Sequence, residues 1–590
     1  MSTRPQSPGI DAHSPSDSRQ TITADDEWGL VRGFGRNCLP TTPREPTWLH
    51  CRLGTFALFI GLAAFFVYLS HRPLWHTDLW GHLAYGRLIV AQRNIPATEP
   101  LLPLCQGVPF VDFSWLSEVI GYLAERCRGV EALQFLYATA VIIGVGLLAL
   151  CTLRKTGSAA AAALAAALYV WIDWQQLGIM RPQLAASACF LGVFLLAIGR
   201  AWRGTATRFR LAASATALIF AAWANLHGSF LIGLVLLAAF VGGRSVDLLR
   251  RTGRLRAVRE DRRVRRGLIV LMLAAVACLL NPYGWRIFPA AWELSSNANL
   301  QDLVEWQPLG WWMWQAWAAL VVSLGLLGLY ALTPRRIPAT EILLLVGLGG
   351  AMLATSRMIV WWGPLAAFYL SLHASAVAQR WRRAHRASPP GIQSAGRIFP
   401  RLRRAWVGRS NRWVSAGVLA VVAVCALLLT PLGDGLFAQI MHTDRRQHFS
   451  AATPLDATDY LRAHPPRGQI FNPIEWGDYL LWAGPPGLQV FAASHAHLLP
   501  PPVWQDYVRV ITLDDGWQEI LRQYRVNTVI VDDDQHAALA DALRTDAEWS
   551  LAYKDETALV FVRRASAFPR VPKTNTGGQA ASAVSSLDRI

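Results

Sequence analysis

The chain is 590 residues long, enough for roughly three or four soluble domains of average size. Its composition excludes that arrangement: 53% of residues are hydrophobic, only 16% are charged, and there are 26 tryptophans, the balance of a protein for which lipid is much of the solvent. The net charge of +17 does not indicate nucleic acid, because ten arginines fall in 244–267 and ten in 380–412, both between apolar runs, where cationic clusters anchor a membrane protein on its cytoplasmic side.

In chain order, residues 1–48 are rich in Ser, Thr, Pro, Asp and Arg and read as a disordered cytoplasmic tail. The first apolar run, near 53–70, has no cleavage pattern and reads as a retained anchor. An amphipathic loop, 71–130, follows it. Further apolar runs lie near 131–151, 158–174, 184–199, 211–225, 229–243, 268–281, 312–333, 341–356, 358–378 and 413–431, which makes eleven in all. Each approaches the ~20 helical residues that cross a bilayer core. The basic connectors 152–155, 200–210, 244–267, 334–336 and 380–412 fall on alternate sides of successive runs. With the N terminus inside, all five are cytoplasmic, and the loop 71–130, four later turns and everything after 431 are external.

From 436 to 565 the pattern becomes that of a soluble α/β domain. "GQIFN", "LQVFAAS" and "NTVIVDDD" read as strands, "VWQDYVRVI", "GWQEILRQY" and "HAALADALR" as helices, and "LAYKDETALVFVRR" as a hairpin. The polar stretch 566–590 reads as a disordered tail. The fold class is therefore a polytopic α-helical membrane protein of about 11 transmembrane helices, within 49–435, carrying a C-terminal soluble α/β domain. In a Gram-negative cell that domain is periplasmic and the chain sits in the inner membrane.

Unusual polar residues gather on the external side. Asp78, His82, Asp112 and Glu118 lie in the first loop, Arg181 in the second turn, Asn225 and His227 in the third, Glu305 in the fourth and Arg357 in the fifth. Ionisable groups at membrane depth are costly, so such a gathering marks a functional site, although any one of them is accounted for as a helix cap. "TDLWGHLAYGRLIVAQ" has the pattern of a helix lying on the membrane surface, with Thr77 as its cap and Leu79, Leu83 and Leu88 as its apolar stripe. Asp78 and His82, four residues apart, share a face there. A carboxylate oriented by a neighbour serves as a general base, while Arg181, Arg357 or a divalent cation would stabilise a leaving phosphate. Arg87 reads as a residue whose guanidinium reaches up from the apolar boundary to water. His227 in "WANLHGSF" reads first as a turn residue, and the acids 532–534 as a solvated loop. Cys105 and Cys127 share the external loop, where a disulfide is chemically permitted.

These features resemble the GT-C superfamily of polytopic glycosyltransferases, which use polyprenyl-phosphate-linked sugars. That superfamily carries its catalytic aspartate just after the first membrane helix, where Asp78 stands, and many members append an external soluble domain. More narrowly, "DLWGHLAYGR", "IPATEPL", "SWLSEV", "RPQ", "WANLHGSF", "NPYG", "EW" at 305–306 and "FNPIEWGDYLLW" resemble a family of largely uncharacterised bacterial membrane proteins, over most of 71–565. Two departures stand out: Ser114 occupies a position often polar or acidic in related sequences, and His76 stands where others have a second acid. "EWGDYLLW" is also similar to the WWDYG segment with which oligosaccharyltransferases read their acceptor. That likeness makes Glu475, Trp476, Asp478 and Tyr479 acceptor-side candidates, the plainer reading being a capped helix packed in the domain core.

The resemblance implies transfer of a sugar from a polyprenyl phosphate in the membrane to an external glycan, lipid or protein. Asp78 would be the base, His82 its partner, and Arg181 and Arg357 the phosphate clamp. Metal dependence stays open, a divalent cation such as Mg or Mn being compatible. Two other classes remain: a non-catalytic assembly or sensory protein with an external binding domain, and a transporter of lipid-linked glycans.

Overall fold

The computed structural model describes residues 53–199, 202, 204–386, 412–434 and 445–564. The expected tails 1–48 and 566–590, most of the connector 380–412 and the boundary near 435 lie outside the described residues.

All eleven apolar runs are helical. They form α1 (Leu53–Ser70), α3 (Trp115–Thr156), α4 (Ala159–Leu177), α5 (Gln183–Ile198), α6 (Ala206–Leu226), α7 (Phe230–Thr252), α9 (Arg262–Ala277), α12 (Trp314–Leu332), α13 (Ala339–Ala354), α14 (Ile359–Arg386) and α15 (Arg412–Leu428). Between them lie α2 (Leu79–Gln92) and the short helices α8 (Leu255–Glu260), α10 (Ile287–Ser295) and α11 (Ala298–Gln301). Among the described residues, five helices, α1, α3, α6, α7 and α12, are long and apolar enough to cross a membrane, and α5, α13 and Ala416–Leu428 of α15 are shorter apolar helices.

Local chemistry sets the helix ends. Ser158, Thr205 and Asp261 each accept a backbone N–H at the start of α4, α6 and α9. Gly157 and Gly253 end α3 and α7 in the left-handed region, both at φ 65°, which a side chain would resist. α3 is broken at Arg128 and Gly129, the glycine at φ 68° and ψ −155°. Its first part, up to Cys127, belongs to the segment 71–130, and its second part joins the bundle.

The C-terminal domain is a five-stranded sheet. Its strands are β1 (Gln469–Phe471), β2 (Gln489–Val490), β3 (Thr528–Asp532), β4 (Trp549–Lys554) and β5 (Ala558–Arg563), in the order β2-β1-β3-β5-β4. β1 pairs in parallel with β2 and β3, while β3–β5 and β5–β4 are antiparallel. Helices α16 (Leu455–Ala463), α17 (Ile474–Ala483), α18 (Pro501–Thr512), α19 (Trp517–Gln523) and α20 (Ala537–Thr545) accompany the sheet.

α2 is not the surface helix that its pattern implied. Its Leu79, Trp80, Gly81, Leu83, Ala84, Tyr85, Gly86 and Ile89 are buried, packed between α3 on one side and α17 on the other. Asp78, not Thr77, takes the N-cap position. Two glycines make the sandwich possible: a Cβ at Gly81 would collide with the Asp478 carboxylate, and one at Gly86 with the Glu118 carbonyl oxygen. Leu74, Leu79, Trp80, Leu83 and Leu133 meet Phe449, Tyr479 and Ala483 in an apolar seam between the two parts of the chain. Arg87 lies at the exposed edge of the seam, donating to the carbonyls of Leu481 and Trp482 with its guanidinium 4.7 Å over the Trp482 ring. Cys105 and Cys127 are both free thiols, the first buried in the core that the loop shares with the C-terminal domain and the second exposed.

Gly86→Ala should therefore lower stability by about 1–3 kcal/mol, because backbone must move to admit the methyl group. Gly61, with nothing within 4 Å of the added carbon, is the control that should tolerate alanine. Thermal unfolding of both variants in detergent checks this, and equal melting temperatures would refute the packing argument.

Candidate active site

Four connectors bring four charged side chains together. The carboxylate of Asp78 makes no capping hydrogen bond; it faces Arg181, with Oδ2 2.8 Å from Nε. This is an ion pair whose N–H is not aligned on the oxygen. Arg181, between α4 and α5, donates from Nη1 to Glu305 Oε2 at 2.6 Å. Arg357, between α13 and α14, donates to the other oxygen of Glu305 at 2.8 Å and lies 5.1 Å over the Trp306 ring. The two turns are joined directly, Ser356 N donating to Gln307 O at 2.8 Å and Ser356 Oγ to Glu305 O at 2.9 Å. All four charged side chains are only 13–26% exposed, so the interactions are poorly screened. Burial pushes the Asp78 carboxyl up, but Arg181, with Arg357, outweighs it and holds it below the usual carboxylate range. Glu305 is held low in the same way, by Arg357 and then Arg181 against its burial.

A second chain of groups runs beside the first. His82 Nδ1 lies 2.8 Å from Glu118 Oε1, and Glu118 meets Asp112. Asp112 accepts from Ser114 N at 2.8 Å through Oδ1, and its own N–H donates to Tyr283 Oη at 2.9 Å. Asp112 Oδ2 and Glu118 Oε2 are buried, and each lacks a donor if both carboxyls are ionised. One shared proton satisfies both. Glu118 sits before the break in α3, outside the membrane segment. Burial pushes its carboxyl up to about 8, and burial together with Glu118 pushes Asp112 well above its ordinary value, so Asp112 keeps the proton and donates it to Glu118.

The C-terminal domain completes the wall. Asp478 accepts from Ser494 N and Oγ at 3.3 and 3.1 Å, and burial followed by Asp78 pushes it up to about 8. Past the end of β2 come two histidines that the sequence reading overlooked. The His495 ring is 6.1 Å from His82, 4.7 Å from Tyr85 and 5.5 Å from His497. Burial lowers His495 to about 4, and burial with His495 and Arg357 lowers His497 to about 3. Their loop is clasped from the membrane unit: Asn297 donates to His497 O, and Asn299 to Ala496 O and Leu499 O. The available signal was their place just beyond the carboxyl end of a parallel strand, where open α/β sheets bind ligands.

The remaining candidates divide. His227 is a neighbour of the cluster, lowered to about 3 by burial, then Arg357, His82 and Arg181. Asn225 is scaffolding: it accepts from Trp115 Nε1 and donates to Ala221 O and Leu280 O. Trp476 is buried and donates to Ala452 O, and Tyr479 lies edge-on to Trp80 at 5.3 Å in the seam. Glu475 is exposed, next to Tyr507. Among the described residues no group of three or more His, Cys, Asp or Glu is arranged to hold a metal ion. Asp78 and Glu305 are neutralised by arginines and Asp112–Glu118 retains a proton, so this donor set does not fit a divalent cation.

Glu118 ionises near pH 8 in the folded chain against an ordinary 4.5, so the folded state retains a proton that the unfolded state releases. Its contribution to stability is complete below about pH 4.5 and is lost as pH rises through about 8. The melting temperature should fall less steeply between about pH 5 and 8 in Glu118→Gln than in the natural chain, and an identical slope would refute a Glu118 carboxyl held protonated up to about pH 8.

No protein-family model matches this sequence, and no curated protein does. Solved structures match in shape. The archaeal oligosaccharyltransferase AglB from Archaeoglobus fulgidus, in complex with an inhibitory peptide and a dolichol-phosphate, superposes with a TM-score of 0.51 at 12% identity, over 87% of this chain and 75% of that one. ArnT from Cupriavidus metallidurans bound to undecaprenyl phosphate gives 0.44 at 14% identity, over 88% and 99%. At such identity the likeness is one of fold: the chain shares the fold of that oligosaccharyltransferase.

Proposed function

We propose that this chain is an integral-membrane glycosyltransferase that moves a sugar from a polyprenyl-phosphate donor to an acceptor at the external face, with inversion at the anomeric carbon. The observation that carries the reading is the grip of Arg181 and Arg357 on one carboxylate, Glu305, beside Asp78. A phosphodiester presents two anionic oxygens as a carboxylate does, and guanidinium forks suit either. When the donor phosphate takes the place of Glu305, both arginines face the oxygens on which charge grows as the sugar–phosphate bond breaks. The acceptor approaches from the opposite side of the sugar, along the wall of Asp478, His495 and His497. AglB, whose fold this chain shares, holds a dolichol-phosphate and a peptide, which supports a lipid phosphate and an external acceptor here.

The same reading gives eleven crossings, a cytoplasmic N terminus and an external C-terminal domain, periplasmic in an inner membrane. It rests on the alternating arginine clusters and on the exposed Trp285, Trp292, Trp311 and Trp312 of the external connectors, where interfacial tryptophans belong.

Two measurements test it. Arg357→Gln should lower kcat/KM for release of undecaprenyl phosphate from undecaprenyl-phosphate hexoses or pentoses by roughly 10²–10³-fold, with full-length protein in lipid nanodiscs. Donor carried across vesicles with no bond cleaved would instead establish a transporter, and an absence of donor binding would leave the external domain as a docking module. A membrane-impermeant maleimide added to spheroplasts should label the exposed Cys127; labelling only after lysis would invert the topology.

A further inference from the structure

We propose that His82, oriented by Glu118, is the base that takes the acceptor's hydroxyl proton, and that Asp78 is a positioning residue acting through Arg181. The proposal rests on the glycosyl-transfer reading above and exchanges the roles that the resemblance implied for the two residues. Asp78 is spent on Arg181, 2.8 Å away, and that pairing keeps its carboxylate weakly basic. His82 has the arrangement of a base held by an acid. Its Nδ1–H donates to Glu118 Oε1 at 2.8 Å, and Glu118 is in turn held by the proton of Asp112. That fixes the tautomer and leaves the lone pair on Nε2. The His82 side chain is 18% exposed, open enough to meet a substrate, while Glu118 is 1% exposed.

The other histidines beside the cluster lack this arrangement. His227 Nδ1 accepts from Ser229 N at 3.1 Å, so its Nε2 carries the hydrogen and can only donate. Neither His495 nor His497 is hydrogen-bonded to a carboxylate among the described residues. The groups that face His82 are Glu118 and Asp112 from the external loop, Asp78 one turn away on its own segment, Arg181 and Arg357 from two turns, and the neutral His227 and His495. Burial, with the two arginines, opposes a charged imidazole and outweighs Asp78. His82 is therefore neutral before the reaction.

In the step, the acceptor oxygen bonds to the anomeric carbon as the bond from that carbon to the phosphate oxygen breaks. The electron pair leaves with the polyprenyl phosphate, which gains one negative charge between Arg181 and Arg357. The hydroxyl proton passes to His82 Nε2, and the imidazolium, held by Glu118, returns it to water as the products depart.

The test uses full-length protein in nanodiscs with an undecaprenyl-phosphate hexose, water serving as the default acceptor, and follows kcat/KM from about pH 5 to 9. The active form requires Glu118 ionised, so the rate should rise about tenfold per pH unit and level off near pH 8. Glu118→Gln should move that limb toward an ordinary imidazole value of about 6.5, and His82→Gln should cost roughly 10²–10⁴-fold in kcat. Asp78→Asn should raise KM for the donor and leave the limb where it was. A limb that ignores Glu118, or that disappears with Asp78, would overturn the proposal while the glycosyl-transfer reading stands. A readout without turnover separates the two: the pH dependence of diethylpyrocarbonate modification at His82, resolved by peptide mass, should shift with Glu118→Gln. Modification that shifts in this way while no donor is ever cleaved would sink the glycosyl-transfer reading and this proposal with it.

Discussion

Two arginines and two carboxylates, each mostly buried where membrane helices meet the C-terminal domain, must neutralise one another or not be there at all. An isolated ion in such surroundings is costly, and removing one partner of a buried pair typically costs about 3–5 kcal/mol. The chain Asp78–Arg181–Glu305–Arg357 is thus a condition on the fold as much as a reagent. It ties the connector after α1 to those before α5, before α12 and before α14. The helices that carry these connectors are positioned at their outer ends by charge and along their lengths by apolar packing.

The second half of the site depends on backbone proximity. Gly81 and Gly86 let α2 lie against Asp478 on one side and the first part of α3 on the other. That brings His82 to Glu118, and it brings the domain of residues 445–564 onto the cluster as a wall. The asparagines 297 and 299 fix the same wall from the opposite side. A soluble domain held by an apolar seam and by backbone hydrogen bonds at two separate places is a built part of the cavity, and its two histidines are set as firmly as the residues of the membrane unit.

Much of this was legible in the sequence, and the reasons are physical. All eleven apolar runs are helices, and for those long enough to cross a membrane, burying backbone in lipid leaves little alternative. The strands and helices of the C-terminal domain follow their patterns closely, since period-2 and period-3.6 signals are local. The polar residues of the connectors were also found, because charge beside apolar runs is conspicuous. Their partners were not legible. Asp78 and His82, four apart on one helix, were expected to meet; instead Asp78 faces Arg181 and His82 faces Glu118, 36 residues on. Nothing in the local pattern encodes such pairings, which are set by how connectors far apart in the chain converge. For the same reason α2 looked like a surface helix: its apolar stripe was visible, but the second surface that covers it lies almost 400 residues downstream, at Trp482. Cys105 and Cys127 were close in sequence and shared a loop, but one faces the core of the C-terminal domain and the other faces solvent.

Glu305 has one more consequence. On the proposed reading the anion site is never vacant: the arginines pass from one anion to another as the donor arrives, and back again when the spent lipid phosphate leaves. Binding is then ion exchange, and its strength measures the difference between two anions rather than the pull of two cations. A site of that kind releases a doubly charged product more readily than a bare arginine pair would, because a tethered carboxylate at high effective concentration stands ready to replace it.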